Sequence, residues 1–120
     1  MRNIIILLLF VTVVAACSSE TPTANATATT KTPVVPADPV LAELYAATCQ
    51  SCHSNGIGNA PLTGDQAAWQ PRLAKGMDTL LTHTITGFGG MPPLGSCSDC
   101  SEEDFVALIT FMSTPAGDQP

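Results

Sequence analysis

The chain has 120 residues, of which 5% are aromatic, and it carries ten acidic side chains against four basic ones for a net charge of −6. That balance excludes a nucleic-acid binder, which needs clustered Lys and Arg, and it excludes a basic helix lying on a membrane surface. With so few aromatics, and about 80 residues left once a leader and a linker are set aside, an unaided core would be thin; a staple or a large apolar cofactor is favoured.

Met1-Arg2-Asn3 is a short basic start, Ile4 to Val14 is apolar except for Thr12, and Ala15-Ala16 follow. The apolar run is shorter than the ~20 residues that span a bilayer, but it suits an export signal over residues 1–16. Val14-Ala15-Ala16-Cys17 resembles a bacterial lipobox, in which Cys17 is lipidated and becomes the mature N-terminus. The plainer alternative is ordinary cleavage nearby, with Cys17 incidental. Residues 17–37 are rich in Thr, Ala, Pro and Ser, with Glu20 and Lys31 as the only charges. Such a segment cannot bury enough apolar surface to offset its ordering entropy and reads as a disordered tether. Five cysteines behind an export signal imply an oxidising compartment and covalent cysteine chemistry.

The folded domain is expected over 38–120. Asp38-Pro39 opens a first helix as N-cap and N1, and Val40, Leu41, Leu44, Tyr45 and Thr48 recur at helical spacing. Asn55 to Gly64 reads as a loop. Asp65 caps a short helix through Trp69 and Leu73, interrupted near Pro71. Met77, Leu80, Leu81, Thr84 and Ile85 form another apolar stripe that ends at Gly87, and a second loop covers Phe88 to Cys100. Ser101 with Asp104 is a variant capping box for a last helix that buries Phe105, Leu108, Ile109 and Met112. No segment alternates as a strand would, so the fold class is all-α.

Cys49-Gln50-Ser51-Cys52-His53 is a C-x-x-C-H run. Two thiols three residues apart can add to the two vinyl groups of one haem, and the adjacent His then faces the iron. A thioredoxin-like dithiol would want a βαβ context that is absent. A zinc site would want a second ligand pair, which Cys97 and Cys100 could supply. The sixth ligand is best read as Met91, on the Gly-rich, Pro-stiffened loop Gly89-Gly90-Met91-Pro92-Pro93. Met77 and Met112 fall on helical apolar faces as core filler, and His83 is the competing donor. Cys97-Ser98-Asp99-Cys100 is followed by Ser101, not His, so it is no second haem site. In an oxidising compartment the pair most simply forms a disulfide, with a redox-active dithiol as the alternative.

Several of these runs recur together in one family. Tyr45-x-x-x-Cys49-x-x-Cys52-His53, Gly58-Asn59-Ala60-Pro61, Gly64-Asp65, Ala68-Trp69-x-Pro71-Arg72-Leu73-x-Lys75-Gly76, Gly90-Met91-Pro92-Pro93 and Cys97-Ser98-Asp99-Cys100-Ser101 follow in order. Over roughly residues 44–112 the chain resembles a class I c-type cytochrome of the cytochrome c5 branch. The resemblance implies helices wrapped around one covalent haem c, with the first and last crossing. It implies His53 and Met91 as iron ligands and a Cys97–Cys100 disulfide. It also implies that the Pro61 carbonyl accepts from the His53 ring, and that Trp69 and Arg72 lie near a haem propionate. On the residues alone, Trp69 could equally be core and Arg72 a solvated charge. Leu41 stands where many members have Gly, and Leu94 where a basic residue is common.

With both axial positions filled, the iron has no open site for oxygen or peroxide, and one-electron transfer remains; no catalytic residue is expected. The function expected is a monomeric electron shuttle, held by lipid to a membrane of the bacterial envelope and facing the periplasm. It would serve redox proteins such as a quinol–cytochrome c reductase and a terminal oxidase or reductase. The negative domain implies a partner with a basic docking face. The competing enzymatic reading, a small haem peroxidase or gas-binding sensor, needs a labile Met91 and has only His83 as a distal acid or base.

Overall fold

The computed structural model describes residues 34–120, so the expected export signal, Cys17 and the tether up to residue 33 lie outside the described residues. Helix α1, Pro39–Leu44, starts as its composition dictates: the Asp38 carboxylate accepts from the Leu41 N–H at 2.8 Å and Pro39 fills N1. The chain runs on through a π-helical turn, Tyr45–Cys49, into α2, Gln50–His53. Tyr45, Cys49 and His53 are four residues apart and only 1%, 8% and 6% exposed. In a pure α-helix such a series drifts by about 40° per step. The wider turn takes back part of that drift and keeps all three side chains inside.

Helix α3, Gln66–Leu73, is capped by the Asp65 side chain on the Ala68 N–H. It continues through Pro71, where an interruption was expected. Pro71 is exposed, so water can reach the carbonyl one turn back, and the Arg72 guanidinium donates to the Ala68 carbonyl beside it. Helix α4, Met77–Thr86, lies between Gly76 and Gly87, both at positive φ. Helix α5, Glu102–Ser113, opens on the expected Ser101/Asp104 capping box and buries Phe105, Leu108, Ile109 and Met112. It also buries Phe111 completely.

The first helical stretch meets α5 where the Tyr45 and Phe111 rings pack edge to face, with centroids 5.0 Å apart. Leu41 is half-buried against the same core. The Tyr45 hydroxyl shares a 2.9 Å hydrogen bond with Thr63, so the ring's polar end is satisfied. The all-α expectation holds: among the described residues the only extended pairing is the single bridge between Phe88 and Met91.

Residues 34–37, assigned from composition to the tether, belong to the domain. Val34 packs on the core, Pro36 is buried, and the Ala37 N–H donates to the Pro120 carbonyl at 3.3 Å. Two apolar side chains and one backbone hydrogen bond outweigh the low-complexity composition there.

Candidate cofactor site

One cavity of about 400 Å³ lies among the helices, and Cys49, Cys52, His53 and Met91 all line it. The volume is in the range of small-molecule and cofactor sites. Leu80, Ile109 and Met112 supply apolar wall from α4 and α5. Both thiols are unpaired; Cys49 is buried, which pushes its thiol pKa up, and Cys52 is half-exposed.

His53 is fixed by two neighbours. Its Nδ1–H donates to the Pro61 carbonyl at 2.9 Å, and Trp69 stacks on it with centroids 6.0 Å apart. Because a carbonyl can only accept, Nδ1 carries the proton and Nε2 keeps its lone pair. Burial lowers the His53 pKa, only partly countered by the Pro61 bond, so the ring is held as the neutral donor that a metal requires. Trp69 is buried and lines the cavity, and its indole N–H donates to the Leu62 carbonyl at 2.9 Å. Arg72 lines the cavity beside Lys75, with one guanidinium N–H on the Ala68 carbonyl.

Met91 sits on a loop that the backbone specifies closely. Gly87, at φ 83°, starts the reversal; a Cβ there would come within 3.0 Å of the Met91 carbonyl oxygen. Phe88 and Met91 exchange two backbone hydrogen bonds of 3.1 and 3.0 Å around Gly89-Gly90, with Gly89 at φ 61°, as a two-residue hairpin requires. The loop then touches the segment after the C-x-x-C-H helix: a Cβ on Gly90 would stand 2.7 Å from the Gly58 carbonyl oxygen. Gly90→Ala is therefore expected to part the two loops and cost about 1–3 kcal/mol, as overpacking does. Gly117→Ala, with nothing nearby, should be near neutral; the shift in denaturation midpoint checks both.

Cys97 and Cys100 stand paired, with Cα atoms 5.5 Å apart, in the usual span of a disulfide. Neither lines the cavity. Among the described residues no group of three or more His, Cys, Asp or Glu gathers to hold a metal ion, so the two cysteine pairs do not meet in one cluster. His83 reaches the cavity wall, half-buried, with its ring stacked on Phe88 at 4.0 Å between centroids. Sequence reasoning assigned Phe88 only to a loop; an aromatic beside a Gly-Gly pair was the available signal.

The donor set and the cavity fit a haem. Two free thiols at C-x-x-C spacing would hold it covalently, imidazole and thioether side chains of a kind that can bind iron line the same cavity, and Arg72 and Lys75 are the cations there. Arg72 and Lys75 are also the only basic residues from 34 to 120, and none of the nine carboxylates in that range lines the cavity.

Comparison with known proteins agrees. The family model described as cytochrome c oxidase, cbb3-type, subunit III matches residues 37–112. Cytochrome c5 of Azotobacter vinelandii is 45% identical over 73 residues, covering 59% of this chain and 88% of that protein. Cytochrome c-555 of Chlorobaculum tepidum is 38% identical over 72 residues, covering 57% and 67%. A solved mono-haem ferrocytochrome c from Shewanella putrefaciens is 45% identical, covers 62% of this chain and 93% of itself, and superposes with a TM-score of 0.57. A cytochrome c solved in an electron-transfer complex with nitrite reductase is 41% identical, covers 63% and 93%, and also gives a TM-score of 0.57. On this sequence, fold and cavity, the chain belongs to the class I c-type cytochromes of the cytochrome c5-like kind, small electron-transfer proteins with one covalent haem c and no enzymatic role.

Proposed function

We propose that this chain is a one-electron shuttle between respiratory complexes of the bacterial cell envelope, facing the periplasm, with His53 and Met91 as the iron ligands. One observation carries the reading: both thiols of the C-x-x-C-H run, His53 and Met91 line the same cavity, with His53 already turned by Pro61 into the ligating tautomer. The haem, when bound, supplies a reversible ferric–ferrous couple. His53 and Met91 would hold the iron, and the protein's part would be to exclude water and favour the ferrous state through a thioether donor. Reorganisation is kept small because the Met91 backbone is pinned at Gly87, Phe88 and Gly90.

Cys97 and Cys100 act as a structural disulfide in this reading, and Cys17 as a lipid anchor that raises the effective concentration near membrane partners. Pro61 orients the ligand imidazole, Trp69 walls it, and Arg72 offsets propionate charge. Partners are redox proteins such as a quinol–cytochrome c reductase and a terminal oxidase or reductase. The complex of a relative with nitrite reductase and the match to an oxidase-subunit family point to the second class. Nine carboxylates against two cations give the domain a negative field that steers toward a basic partner. Ile57 and Phe88, both on the cavity wall, are more than half exposed and offer apolar surface to such a partner. Among the described residues no helix is long and apolar enough to cross a membrane.

The test is the mass of the denatured holoprotein beside a reduced-minus-oxidised spectrum. One haem should stay with the chain under acid extraction, and Cys49→Ser with Cys52→Ser should release it. Haem lost from the unaltered chain would overturn the assignment.

A further inference from the structure

Phe88, on the loop that carries Met91, is 57% exposed. Its backbone and its side chain serve different partners. The backbone N–H and carbonyl are both bonded to Met91, so Phe88 is one half of the hairpin that presents the Met91 side chain. The ring lies flat on His83, 4.0 Å between centroids and 12° from parallel, and His83 belongs to α4. The stack is therefore a side-chain tie between the Met91 hairpin and a helix of the core. The hairpin's other ties act differently. Gly87, Gly90 and Gly95 allow close approach by having no side chain: a Cβ on Gly95 would stand 3.0 Å from the Met91 methyl. They shape the loop, but they supply little attraction to hold it down.

We propose that the Phe88–His83 stack is a latch that keeps the Met91 hairpin closed, so that Phe88 and His83 are positioning residues for the axial thioether. The inference rests on Met91 being the iron ligand, and it gives His83 a role without making it a ligand. Opening the hairpin requires the two rings to separate, and the stack thereby sets how readily Met91 gives way to an external donor. The exposed outer face of Phe88 is a consequence: a ring that closes over its helix from outside has solvent on its other side.

The experiment uses ferric holoprotein and imidazole as probe, following its binding rate together with the methionine-to-iron charge-transfer band. Phe88→Ala and His83→Ala should each speed imidazole binding by about three- to tenfold, the range a stacked aromatic pair commands. His83→Phe, which keeps a flat ring and loses both nitrogens, should restore the slow rate. Met91→Ala, in the same assay, should abolish the band. If Met91→Ala leaves the band in place, the ligation reading fails and the latch fails with it. If Met91→Ala abolishes the band while Phe88→Ala and His83→Ala bind imidazole at the original rate, only the latch is overturned. That second result, with slower electron transfer to a partner protein, would assign Phe88 to docking alone. A His83→Phe variant as fast as His83→Ala would show that the nitrogens matter rather than the stack, and would overturn the latch as well.

Discussion

Replacing Met91 with Ala should open the sixth position of the iron. The reduced protein should then bind carbon monoxide, the methionine-to-iron charge-transfer band should vanish, and the reduction potential should fall. The physical reason is the donor: a thioether stabilises ferrous iron, and the alanine methyl offers nothing in its place. A drop on the order of 100 mV is reasonable against the ~0.8 V that axial ligands command overall. His83 is the one histidine besides His53 on the cavity wall, and its ring is committed to Phe88. His83→Ala should therefore leave the ferric protein six-coordinate. A Met91→Ala protein that refuses carbon monoxide, paired with a His83→Ala protein that accepts it, would reverse the ligand assignment.

The largest loss of stability is expected from Phe111→Ala. Phe111 has no exposed surface and packs edge to face on Tyr45, where the first helical stretch meets α5. Its removal leaves a void bounded by helices from both ends of the domain, and neither can move in without dragging the cysteine run or the Met112 wall. Buried Phe→Ala changes cost about 3–5 kcal/mol, a large part of the 5–15 kcal/mol that holds a domain. Denaturant titration of the holoprotein should show the midpoint falling steeply with the slope unchanged. Val40→Ala, at a position 65% exposed on α1, should shift it hardly at all. Comparable midpoints for the two variants would mean that the Tyr45–Phe111 contact does not hold the domain together.

Local chemistry was the legible part of this chain. The caps at Asp38, Asp65 and Ser101 formed where their side chains and spacing placed them, because each satisfies an orphaned backbone N–H within three residues. The gathering of Cys49, Cys52, His53 and Met91 around one cavity follows from the motif and from the stiff Met loop. What escaped was tertiary. Phe111 lies beside the buried stripe already counted on α5, and only the arrival of Tyr45 closes over it. Pro71 reads as a helix breaker until the exposure of its face and the reach of Arg72 are known. The indole N–H of Trp69 has no partner in sequence space; Leu62 becomes one when the loop folds over α3. Residues 34–37 have the composition of a linker and are fixed by the core and the tail that they meet.

That meeting bears on how the domain is moored. The Ala37–Pro120 hydrogen bond closes the two ends of the domain into one seam, and Gln119 fastens the tail to the Phe111 and Thr114 carbonyls. No residue of 34–37 or 113–120 belongs to the cavity wall. A leash attached through the N-terminal segment would thus load the seam and the end of α5, away from the residues of the cavity wall. A reporter fused after Pro120 would load the same seam, so the C-terminus is the place for a label meant to leave electron exchange undisturbed.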